Sequence, residues 1–432
     1  MEYRPTKIVP KGWKSKTVDQ VFDFYPTATY SRDKQVSQNT DASIKYIHYG
    51  DIHTKYNILL DASNPLIPHI DGELKKDFEF VKEGDLIIAD TSEDYDGVGK
   101  CVEVVNVGDN QIISGLHTLM LRPKGDDFID GFKGYFFSGE QVRNSLLRIV
   151  TGIKVYSITK TTLAKVSLLI PSHQEQKAFV SLLSKVDEAI ASVQNSIAAA
   201  ERLKKSLMQN LLTGKMKPDG TFRTPEEFYI DEKFGKVPVG WEVKRVDEVS
   251  ERKTEVIDPT KTKEVYDYIG LEHIITNEFT RCGKGVSNET VALKVKFEKG
   301  DVLYGKLRPY LNKVIIADIS GVGSTELIVL RRNAFTKWIY LNFQLQRFLD
   351  YTKSMTAGTQ HPRASWNDIK HYMVCIPKSR EEMDFIADKI LSIECNRMIQ
   401  QSKIKKLERL KKSLMQNLLT GRVRLNETIY PE

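Results

Sequence analysis

The chain carries one thirteen-residue sequence twice: RLKKSLMQNLLTG at 202–214 recurs without a change at 409–421. The two copies begin roughly 200 residues apart, far beyond the period of about 20 to 50 residues that marks a solenoid. An identity of this length at this separation indicates that one half-protein has been duplicated. We therefore expect the remainder of each half to match as well.

The flanking motifs of the two halves also correspond. VPKGW at 9–13 matches VPVGW at 237–241, and the Ile-Pro pair at 170–171 matches the pair at 376–377. Between these two motifs the second half is shorter, whereas the segments from the Ile-Pro pair to the repeated block differ by one residue. Each half thus contains a globular part of variable length followed by a nearly invariant part.

The globular parts are predicted to be rich in strands. Short β-branched runs, such as 85–89, 101–105 and 313–317, are separated by Gly, Asp and Asn turns. This pattern predicts a mixed α/β or β-rich domain of roughly 150 residues in each half.

The invariant parts are predicted to be long helices that pair. From 174 to 213 apolar residues recur about every 3.5 positions, and the second half repeats this seam, although Arg397 and Gln400 interrupt it. Each helix would run about 60 Å, and Gly214 and Gly421 stand where C-cap glycines belong. A helix that packs only on its own domain stays open as the alternative. The residues that we assign to helix pairing are Leu183, Val186, Ile190, Val193, Ile197, Leu207, Leu211, Ile390, Ile393, Ile404, Leu407, Leu414 and Leu418.

The predicted fold class is therefore α+β. Two globular domains of mixed α/β structure are separated by two long helices, which form an antiparallel coiled coil with pseudo-two-fold symmetry. The predicted segments are a first domain at 1–170, a first helix at 171–214, a linker at 215–236, a second domain at 237–376, a second helix at 377–421 and a C-terminal tail at 422–432.

Composition excludes several classes of protein. With 432 residues, 41% hydrophobic and 28% charged, the chain is neither disordered nor fibrous. Its four cysteines are scattered without zinc-site spacing, which predicts a reducing cytoplasm and no structural metal. The first residues lack the apolar core of a signal peptide, and no run of 18 apolar residues occurs. We expect neither secretion nor a membrane span.

Catalytic motifs are absent or incomplete. The stretch 97–101 lacks the first glycine and the terminal hydroxyl of a phosphate loop, and no G-x-G-x-x-G follows a strand. The nearest approach to an amino-methyltransferase motif is Asp258-Pro259-Thr260. Asp61 with Glu73-x-Lys75 fits a nuclease pattern loosely, but solvated loop charges explain it better. We assign no catalytic, cofactor-binding or metal-binding residue.

Two kinds of loop are candidates for DNA contact. The segments 149–156 and 356–363 align, and in each a glycine begins a polar, basic loop, which suits close approach to base edges. The cations and aromatic ring of 306–310 suit phosphate contact. Plain turns and surface loops remain the alternatives, and the histidines other than His361 are interpreted as surface or core residues. The candidates are Thr151, Gly152, Lys154, Tyr156, Lys306, Arg308, Tyr310, Gly358, Thr359, Gln360, His361 and Arg363.

The net charge of +7 is concentrated rather than spread along the chain. Residues 403–424 contain eight basic residues against Glu408, and 201–217 contain five against one. A solvated helix face is one interpretation. Binding of a DNA duplex or of an acidic partner protein is the other.

These features together resemble the specificity subunits of type I restriction-modification systems. The resemblance covers the full length and rests on the two-copy plan, the Pro-x-Gly-Trp opening of each half, IPSHQEQK at 170–177 and the twice-used LKKSLMQNLLTG. One departure is that REE at 380–382 stands where the first half has QEQ at 174–176. The resemblance implies that each half is a target recognition domain plus a helix, and that each domain reads one half of a split double-stranded DNA target.

The resemblance also implies the partners. Two methyltransferase subunits holding S-adenosylmethionine would dock on the helices, and restriction subunits using ATP and Mg²⁺ would join them. This chain would then hold no cofactor and catalyse nothing, and it would lie in the cytoplasm. The helices would set the spacer between half-sites. A coiled-coil adaptor that does not read DNA and a self-sufficient nuclease-methyltransferase are the competing hypotheses.

Overall fold

The structure of the chain is a computed structural model that describes residues 9–36, 43–74, 78–276, 278, 280–289, 291–356 and 362–424. Its contacts divide the chain into two compact units. Unit 1 comprises 1–192 with 404–432, and unit 2 comprises 193–403. Both divisions fall inside a long helix, so each unit contains one globular domain and parts of two helices, whereas the sequence-based segments kept each helix whole.

Unit 1 contains thirteen short strands and five short helices among its described residues, followed by the first long helix. The strands are β1 Lys14–Thr17, β2 Phe22–Tyr25, β3 Gln35–Val36, β4 Ser43–Ile47, β5 Leu59–Asp61, β6 His69–Asp71, β7 Leu86–Ala89, β8 Thr91–Ser92, β9 Cys101–Val105, β10 Ile112–Ser114, β11 Thr118–Pro123, β12 Tyr156–Ser157 and β13 Ser167–Ile170. The helices are α1 Val18–Val21, α2 Tyr49–Thr54, α3 Lys133–Ser138, α4 Glu140–Leu147, α5 Lys160–Ala164 and the long α6 His173–Leu211.

The strands of unit 1 form two main sheets. One has five strands in the order β2-β11-β7-β9-β5, and the other has four in the order β10-β4-β6-β3. All four residues of β7 are buried, as its continuous apolar sequence LIIA predicts. Strand β1 pairs antiparallel with β13, with Lys14 opposite Ile170, so the Trp motif and the Ile-Pro motif lie side by side.

Unit 2 repeats this plan with a second set of elements. Its strands are β14 Phe228–Asp231, β15 Gly235–Pro238, β16 Trp241–Arg245, β17 Arg252–Lys253, β18 Val256–Ile257, β19 Asp267–Ile269, β20 Gly285–Val286, β21 Lys294–Phe297, β22 Val302–Gly305, β23 Val314–Ile316, β24 Gly321–Ser324, β25 Leu327–Leu330 and β26 Met373–Pro377. Its helices are α7 Val246–Val249, α8 Thr336–Asn342, α9 Gln346–Met355, α10 Trp366–Ile369 and the long α11 Arg380–Leu418.

The sheets of unit 2 have the strand orders β18-β21-β24-β19-β20 and β17-β25-β22-β23. Strand β16 pairs with β26, and Trp241 lies opposite Pro377, which is the counterpart of the β1 and β13 pair. The stretch 215–236, expected to be a plain linker, contributes β14 and the first half of β15. These two strands form an antiparallel hairpin.

The two long helices each contain 39 residues, so each runs about 58 Å. The predicted C-cap glycines are confirmed: Gly214 and Gly421 follow the helix ends with φ of +66° and +70°. Each glycine also allows a close approach, since a Cβ on Gly214 would meet Pro238 and one on Gly421 would meet Pro10. The prolines of the two Val-Pro-x-Gly-Trp motifs therefore lie against the helix ends.

The helix segments pair antiparallel within each unit. In unit 1, ion pairs join the start of α6 to the end of α11 and to the residues just after it, through Asp187–Lys411 and Glu175–Arg424. In unit 2, ion pairs join the end of α6 to α11 through Lys204–Glu394 and Glu201–Arg397. As the residue number rises along one helix it falls along the other, which defines an antiparallel pair. The predicted α+β fold class is confirmed.

Most of the residues assigned to helix pairing are shielded from solvent. Those buried are Leu183, Val186, Val193, Leu211, Ile390 and Leu418. Those half-buried are Ile190, Ile197, Leu207, Ile393, Ile404, Leu407 and Leu414. The helix ends also enter the cores of the globular domains, since Leu418 packs with Trp13 in unit 1 and Leu211 packs with Trp241 in unit 2. No helix in the described part of the chain has an apolar stretch long enough to span a bilayer.

Candidate nucleic-acid interface

One candidate surface of unit 1 is a closed loop beside a short strand pair. Thr151 and Ser157 exchange two backbone hydrogen bonds of 3.0 and 2.8 Å, which close the loop 152–156. Strand β12 at its end pairs antiparallel with β8. Thr151, Gly152 and Lys154 are exposed, and Tyr156 is half-buried. We call residues 91–97 and 151–157 the unit 1 edge.

The equivalent surface of unit 2 brings together segments more than fifty residues apart in sequence. Leu307 forms an antiparallel bridge with Arg363, and the backbone N–H of Arg308 donates to the carbonyl of Pro362 at 2.8 Å. Lys306 is half-buried, whereas the other candidates described here, Arg308, Tyr310 and Arg363, are exposed. We call residues 306–310 and 362–364 the unit 2 edge.

The two edges occupy the same place in the duplicated plan. Residues 91 and 92 pair with 157 and 156 in unit 1, and 307 pairs with 363 in unit 2. The two segments therefore correspond, but Ser157 and not Tyr156 is equivalent to Arg363, so the sequence alignment was one residue out of register. Gly358, Thr359, Gln360 and His361 lie outside the described residues, so their assignment to DNA contact stays a prediction.

The charges of the two edges differ in sign. The loop at 92–97 in unit 1 reads SEDYDG, whereas the matching stretch of unit 2 contains Lys306 and Arg308. Arg143 holds the acidic loop by donating to the carbonyls of Val98 and Asp96 at 2.7 and 2.9 Å. Carboxylates accept hydrogen bonds from cytosine, whereas guanidinium and ammonium groups donate to guanine or to phosphate. The two edges are thus suited to different contacts.

Arg308 has a backbone conformation that the unit 2 edge enforces. Its φ of +52° is left-handed, which is uncommon for a residue with a side chain. The bridge at Leu307 and the hydrogen bond to Pro362 fix this turn on both sides, and Pro309 begins a short 3-10 turn directly after it. The turn therefore leaves the side chain of Arg308 exposed at the surface of the domain.

A second feature of unit 1 is a cleft lined by three histidines that the sequence did not single out together. The ring of Tyr49 lies 4.6, 5.8 and 5.2 Å from those of His48, His53 and His117. The cleft has a volume of 720 Å³ and adjoins the unit 1 edge through Ser92 and Gly97. Burial lowers the pKa of His48, so that its imidazole is neutral at pH 7.

These histidines were interpreted from the sequence as surface or core residues, and only the fold brings them together. His48 and His53 lie close in sequence at α2, which was a weak signal. His117 lies on a separate turn more than sixty residues later. The Nε2 of His53 lies 3.0 Å from the carbonyl oxygen of Thr91, which can only accept, so that nitrogen carries the proton.

A third feature is a cleft beside the repeated block in each unit, which we call the helix-end cleft. In unit 1 it measures 510 Å³ and in unit 2 it measures 360 Å³. The residues that α11 contributes in unit 1 are Glu408, Lys411, Lys412, Met415 and Gln416. The residues that α6 contributes in unit 2 are Glu201, Lys204, Lys205, Met208 and Gln209. The two clefts thus present the same five residue types in the same order.

The walls that face these residues differ between the units. In unit 1 the domain contributes Ile58, Ser138 and Glu140. In unit 2 the wall contains Gln346 and the charged pair of Glu278 and Arg397. One face of each helix-end cleft is therefore repeated, and the other is particular to its unit.

A Trp–Glu–Arg contact recurs in each unit beside the strand that follows the Trp motif, β1 in unit 1 and β16 in unit 2. The indole N–H of Trp13 donates to Glu175 at 3.0 Å, and Arg424 pairs with the same carboxylate at 2.6 Å. In unit 2 the indole of Trp241 donates to Glu382 at 3.2 Å, and Arg223 pairs with that carboxylate at 2.8 Å. Glu175 is therefore equivalent to Glu382. The sequence alignment of 174–176 with 380–382 was one residue out of register.

The basic stretch near the C-terminus is mostly open to solvent. Its exposed residues are Lys403, Lys405, Lys406, Arg409, Lys412, Arg422 and Arg424. Lys411 is half-buried and pairs with Asp187. Arg424 pairs with Glu175, and the other six exposed cations remain available to an anionic partner.

Comparison with known proteins decides the family. A sequence profile described as Type I restriction modification DNA specificity domain matches residues 10–202 and 238–420. The chain belongs to this family. One matched segment falls in each half of the internal repeat, and the predicted resemblance is confirmed. A specificity chain of this family recognises a DNA target and is not the catalytic subunit.

Individual relatives carry the same description. The type I restriction enzyme MjaVIII specificity subunit of Methanocaldococcus jannaschii is 21% identical over 67% of this chain and 70% of its own length. The type I restriction enzyme EcoDI specificity subunit of Escherichia coli is 24% identical over 54% of this chain and 56% of its own length. Similarity to this specificity family thus recurs in both an archaeal and a bacterial protein.

Solved structures share the fold of this specificity chain. The S subunit of a type I restriction-modification system from M. genitalium aligns over 97% of this chain and 98% of its own, with a TM-score of 0.58 and 12% identity. A chain from a study of complex assembly and conformational transition of the type I R-M system aligns over 98% of this chain and 100% of its own, with a TM-score of 0.51 and 15% identity. At these identities the comparison supports the fold.

Proposed function

We propose that the chain reads a bipartite double-stranded DNA target, with each globular domain reading one half-site, as a subunit of a type I restriction-modification complex. The observation that carries this proposal is the pair of equivalent edges. Each is built by the same pairing of segments distant in sequence, and each presents different polar groups. Two domains that share one fold but have different polar groups at their edges suit a DNA target whose two halves differ in sequence.

The helix-end clefts support a second part of the proposal, which concerns the protein partners. The same five residue types recur in both clefts, so one partner surface can bind both. We infer that two copies of one methyltransferase subunit dock there. S-adenosylmethionine would be held by those subunits, and ATP and Mg²⁺ by restriction subunits that join the complex in the cytoplasm.

Mapping of methylated adenines tests the reading of DNA. The full chain is expressed with its cognate methyltransferase, and methylation should fall on a single split motif with an unspecified spacer. Binding to a duplex carrying that motif should exceed binding to a scrambled duplex and should weaken as salt rises. An adaptor that does not touch DNA would leave no motif and no salt dependence, which would refute the proposal.

Variants at the two edges should separate the half-sites. Arg308→Ala is expected to weaken recognition of the half-site read by unit 2, roughly 10-fold, because one charged contact to a base or phosphate is lost. Lys154→Ala should act on the half-site read by unit 1. The matched control is Lys261→Ala, an exposed lysine away from either edge, which should leave both half-sites unchanged.

A change in helix length tests the role of the long helices. One heptad inserted after Ala198, matched by one after Gln400 so that the antiparallel register is kept, should change the spacer while leaving both half-sites unaltered. The register of Glu201 with Arg397 places these two insertion points opposite each other. A motif whose half-sites change and whose spacer does not would contradict this role.

A further inference from the structure

The most exposed large apolar side chain in the described part of the chain lies at the unit 1 edge. Ile153 is 91% exposed, and Val155, two residues later, is 51% exposed. Single exposed apolar residues are ordinary on protein surfaces. Here, however, two of them flank Lys154 within one five-residue loop, and neither belongs to a hydrophobic core among the residues that the structure describes. The folding of unit 1 does not explain them.

The loop that carries Ile153 is held in one shape. Gly152 has a φ of +111°, and a Cβ there would lie 2.0 Å from the carbonyl oxygen of Val155, so only glycine fits. The backbone bonds between Thr151 and Ser157 close the loop. Tyr156 meets the ring of Tyr95 edge-on at 5.3 Å. The apolar tip is therefore positioned before any ligand arrives, which reduces the entropy lost on binding.

Lys154 gives the tip itself a positive charge, while the adjoining loop 92–97 of the same edge contributes the carboxylates of Glu93, Asp94 and Asp96. Lys154 is exposed and has no carboxylate within ion-pair distance among the residues that the structure describes. A lysine flanked by two apolar side chains can contact a DNA phosphate while those side chains enter the groove between the two phosphate backbones. The paired strands β8 and β12 form a two-stranded ribbon behind the loop, and the major groove is wide enough to admit such a ribbon.

On base edges in the major groove, the apolar group is the 5-methyl of thymine. A branched aliphatic side chain at a fixed tip is the natural contact for it. We propose that the loop 152–156 enters the major groove of the half-site read by unit 1 and that Ile153 selects a thymine through its methyl group. This inference rests on the proposed reading of DNA and adds a specificity-determining residue to it.

The experiment uses the full chain with its methyltransferase and the motif found by methylation mapping. Thymines of both half-sites are replaced one at a time by deoxyuridine, which lacks the methyl group and keeps the Watson–Crick pairing. The native protein should lose about 4-fold in affinity at one thymine, the effect of exposing about one buried methyl. Ile153→Ala should bind the native duplex more weakly and show no further loss at that position.

Two further variants separate a specific contact from a general effect. Ile153→Val keeps a branched apolar tip and should retain most of the discrimination against deoxyuridine. Leu66→Ala removes another exposed apolar side chain of unit 1 and should behave as the native protein. Because Ile153 is so exposed, its truncation should not affect folding.

Two results would overturn the inference. The native protein could be indifferent to deoxyuridine at every thymine, or Ile153→Ala could lose as much affinity at the same thymine as the native protein does. In the first case, an Ile153→Ala variant that still binds the duplex more weakly would indicate a wedge between base pairs in the minor groove. In both cases the native protein would still prefer its motif. Absence of any motif would refute the proposed function itself.

Discussion

Within each unit, α6 and α11 pack along a contact that we call the helix seam. Both seams contain one copy of the repeated thirteen-residue sequence, but their charged residues are neutralised by different partners. In unit 1, Lys411 pairs with Asp187 at 2.5 Å, and the hydroxyl of Tyr135 donates to the same carboxylate at 2.7 Å. In unit 2, Lys204 pairs with Glu394 at 3.0 Å. Both lysines come from the repeated sequence, and the acid comes from the other helix each time.

Unit 2 adds a buried arginine that unit 1 lacks. Arg397, whose side chain is 6% exposed, hydrogen-bonds to Glu394 at 2.9 Å and pairs with Glu278 from a loop of the globular domain. The equivalent position in α6 is Ile190, which is half-buried. The sequence interpreted Arg397 as an interruption of the seam. The arginine does replace an apolar residue of the seam, and the structure adds that it is a buried member of the unit 2 ion-pair cluster.

The comparison separates two roles within one helix pair. The lysine–carboxylate pair recurs in both units and fits the antiparallel register. The residue at position 190 or 397 varies, and in unit 2 it links the helix to its own domain. Burying an arginine between two carboxylates is stable only while all partners are present, since each ion left alone would be unsolvated. Unit 2 should therefore be the more sensitive of the two to single substitutions.

The reactivity of one buried cysteine in each unit reports on the unfolding of that unit. The largest expected effect is the difference in modification rate between the exposed and the buried cysteines. Burial raises the pKa of Cys101 in unit 1 to about 11 and that of Cys375 in unit 2 to about 12. The reactive thiolates are therefore scarce at pH 8. Iodoacetamide should modify the exposed Cys282 and Cys395 at least about 1000-fold faster than the buried pair. Mass spectrometry of timed samples measures this, and rapid native labelling of Cys101 or Cys375 would contradict the burial.

Removal of Arg397 should be the most damaging single change in either seam. Arg397→Ala leaves Glu394 and Glu278 close together with Lys204 as the main remaining cation, which should destabilise unit 2 by about 3 kcal/mol. The urea midpoint for Cys375 labelling should fall, and that for Cys101 should move little. Lys389→Ala, at an exposed position on the same helix, is the control. Equal shifts at both cysteines would show that the two units do not differ in this way.

The double variant Arg397→Ile with Glu278→Gln then sharpens the comparison. It gives unit 2 the apolar residue of unit 1 and removes the carboxylate that the arginine neutralised. Most of the stability lost in Arg397→Ala should return, because no buried charge is left without a partner. If it does not return, packing of the arginine stem rather than its charge holds this region.

Substitution of the C-cap glycines should destabilise the two units by similar amounts, and by less than substitution of Arg397 does. Gly214→Ala places a Cβ 2.1 Å from Pro238, and Gly421→Ala places one 2.6 Å from Pro10, both in left-handed backbone. Each substitution should lower the free energy of unfolding of its unit by about 2 kcal/mol, and Gly214→Ala should have the larger effect. Labelling of Cys375 in urea reports on unit 2, and labelling of Cys101 reports on unit 1. Gly240 also has a left-handed backbone, with a φ of +86°, but a Cβ there would contact no other atom. Gly240→Ala therefore measures the cost of backbone strain without a steric clash. A loss at Gly240 as large as at Gly214 would argue against the collision.

The shared lysine–carboxylate pair should have the smallest effect. A double-mutant cycle of Asp187→Asn and Lys411→Met should give a coupling of about 1 kcal/mol, because both side chains remain partly open to water. The urea midpoint for Cys101 labelling measures it. Strictly additive losses would mean that this pair contributes no specific energy to the seam.

The candidate site could be predicted only in part. The alignment of 149–156 with 356–363 located matching surfaces to within one residue, since Ser157 and Arg363 form the equivalent bridges. It did not indicate that each pairs with a segment more than fifty residues earlier. Nor did the sequence suggest that His117 joins His48 and His53 around Tyr49. These groupings depend on sheet topology, which periodicity does not contain.

By itself the sequence determined the duplication, the two long helices, their C-cap glycines and the strand-rich domains. Each of these is a local property, since helix and strand periods and glycine conformations are set by residues close in sequence. Only the tertiary structure decided which side chains became charged partners. Arg397 reads as a polar interruption in the heptads, and its role depends on burial beside Glu394 and Glu278. Burial strengthens electrostatic attraction and makes an unpaired charge unfavourable, and it is known only once distant segments have met.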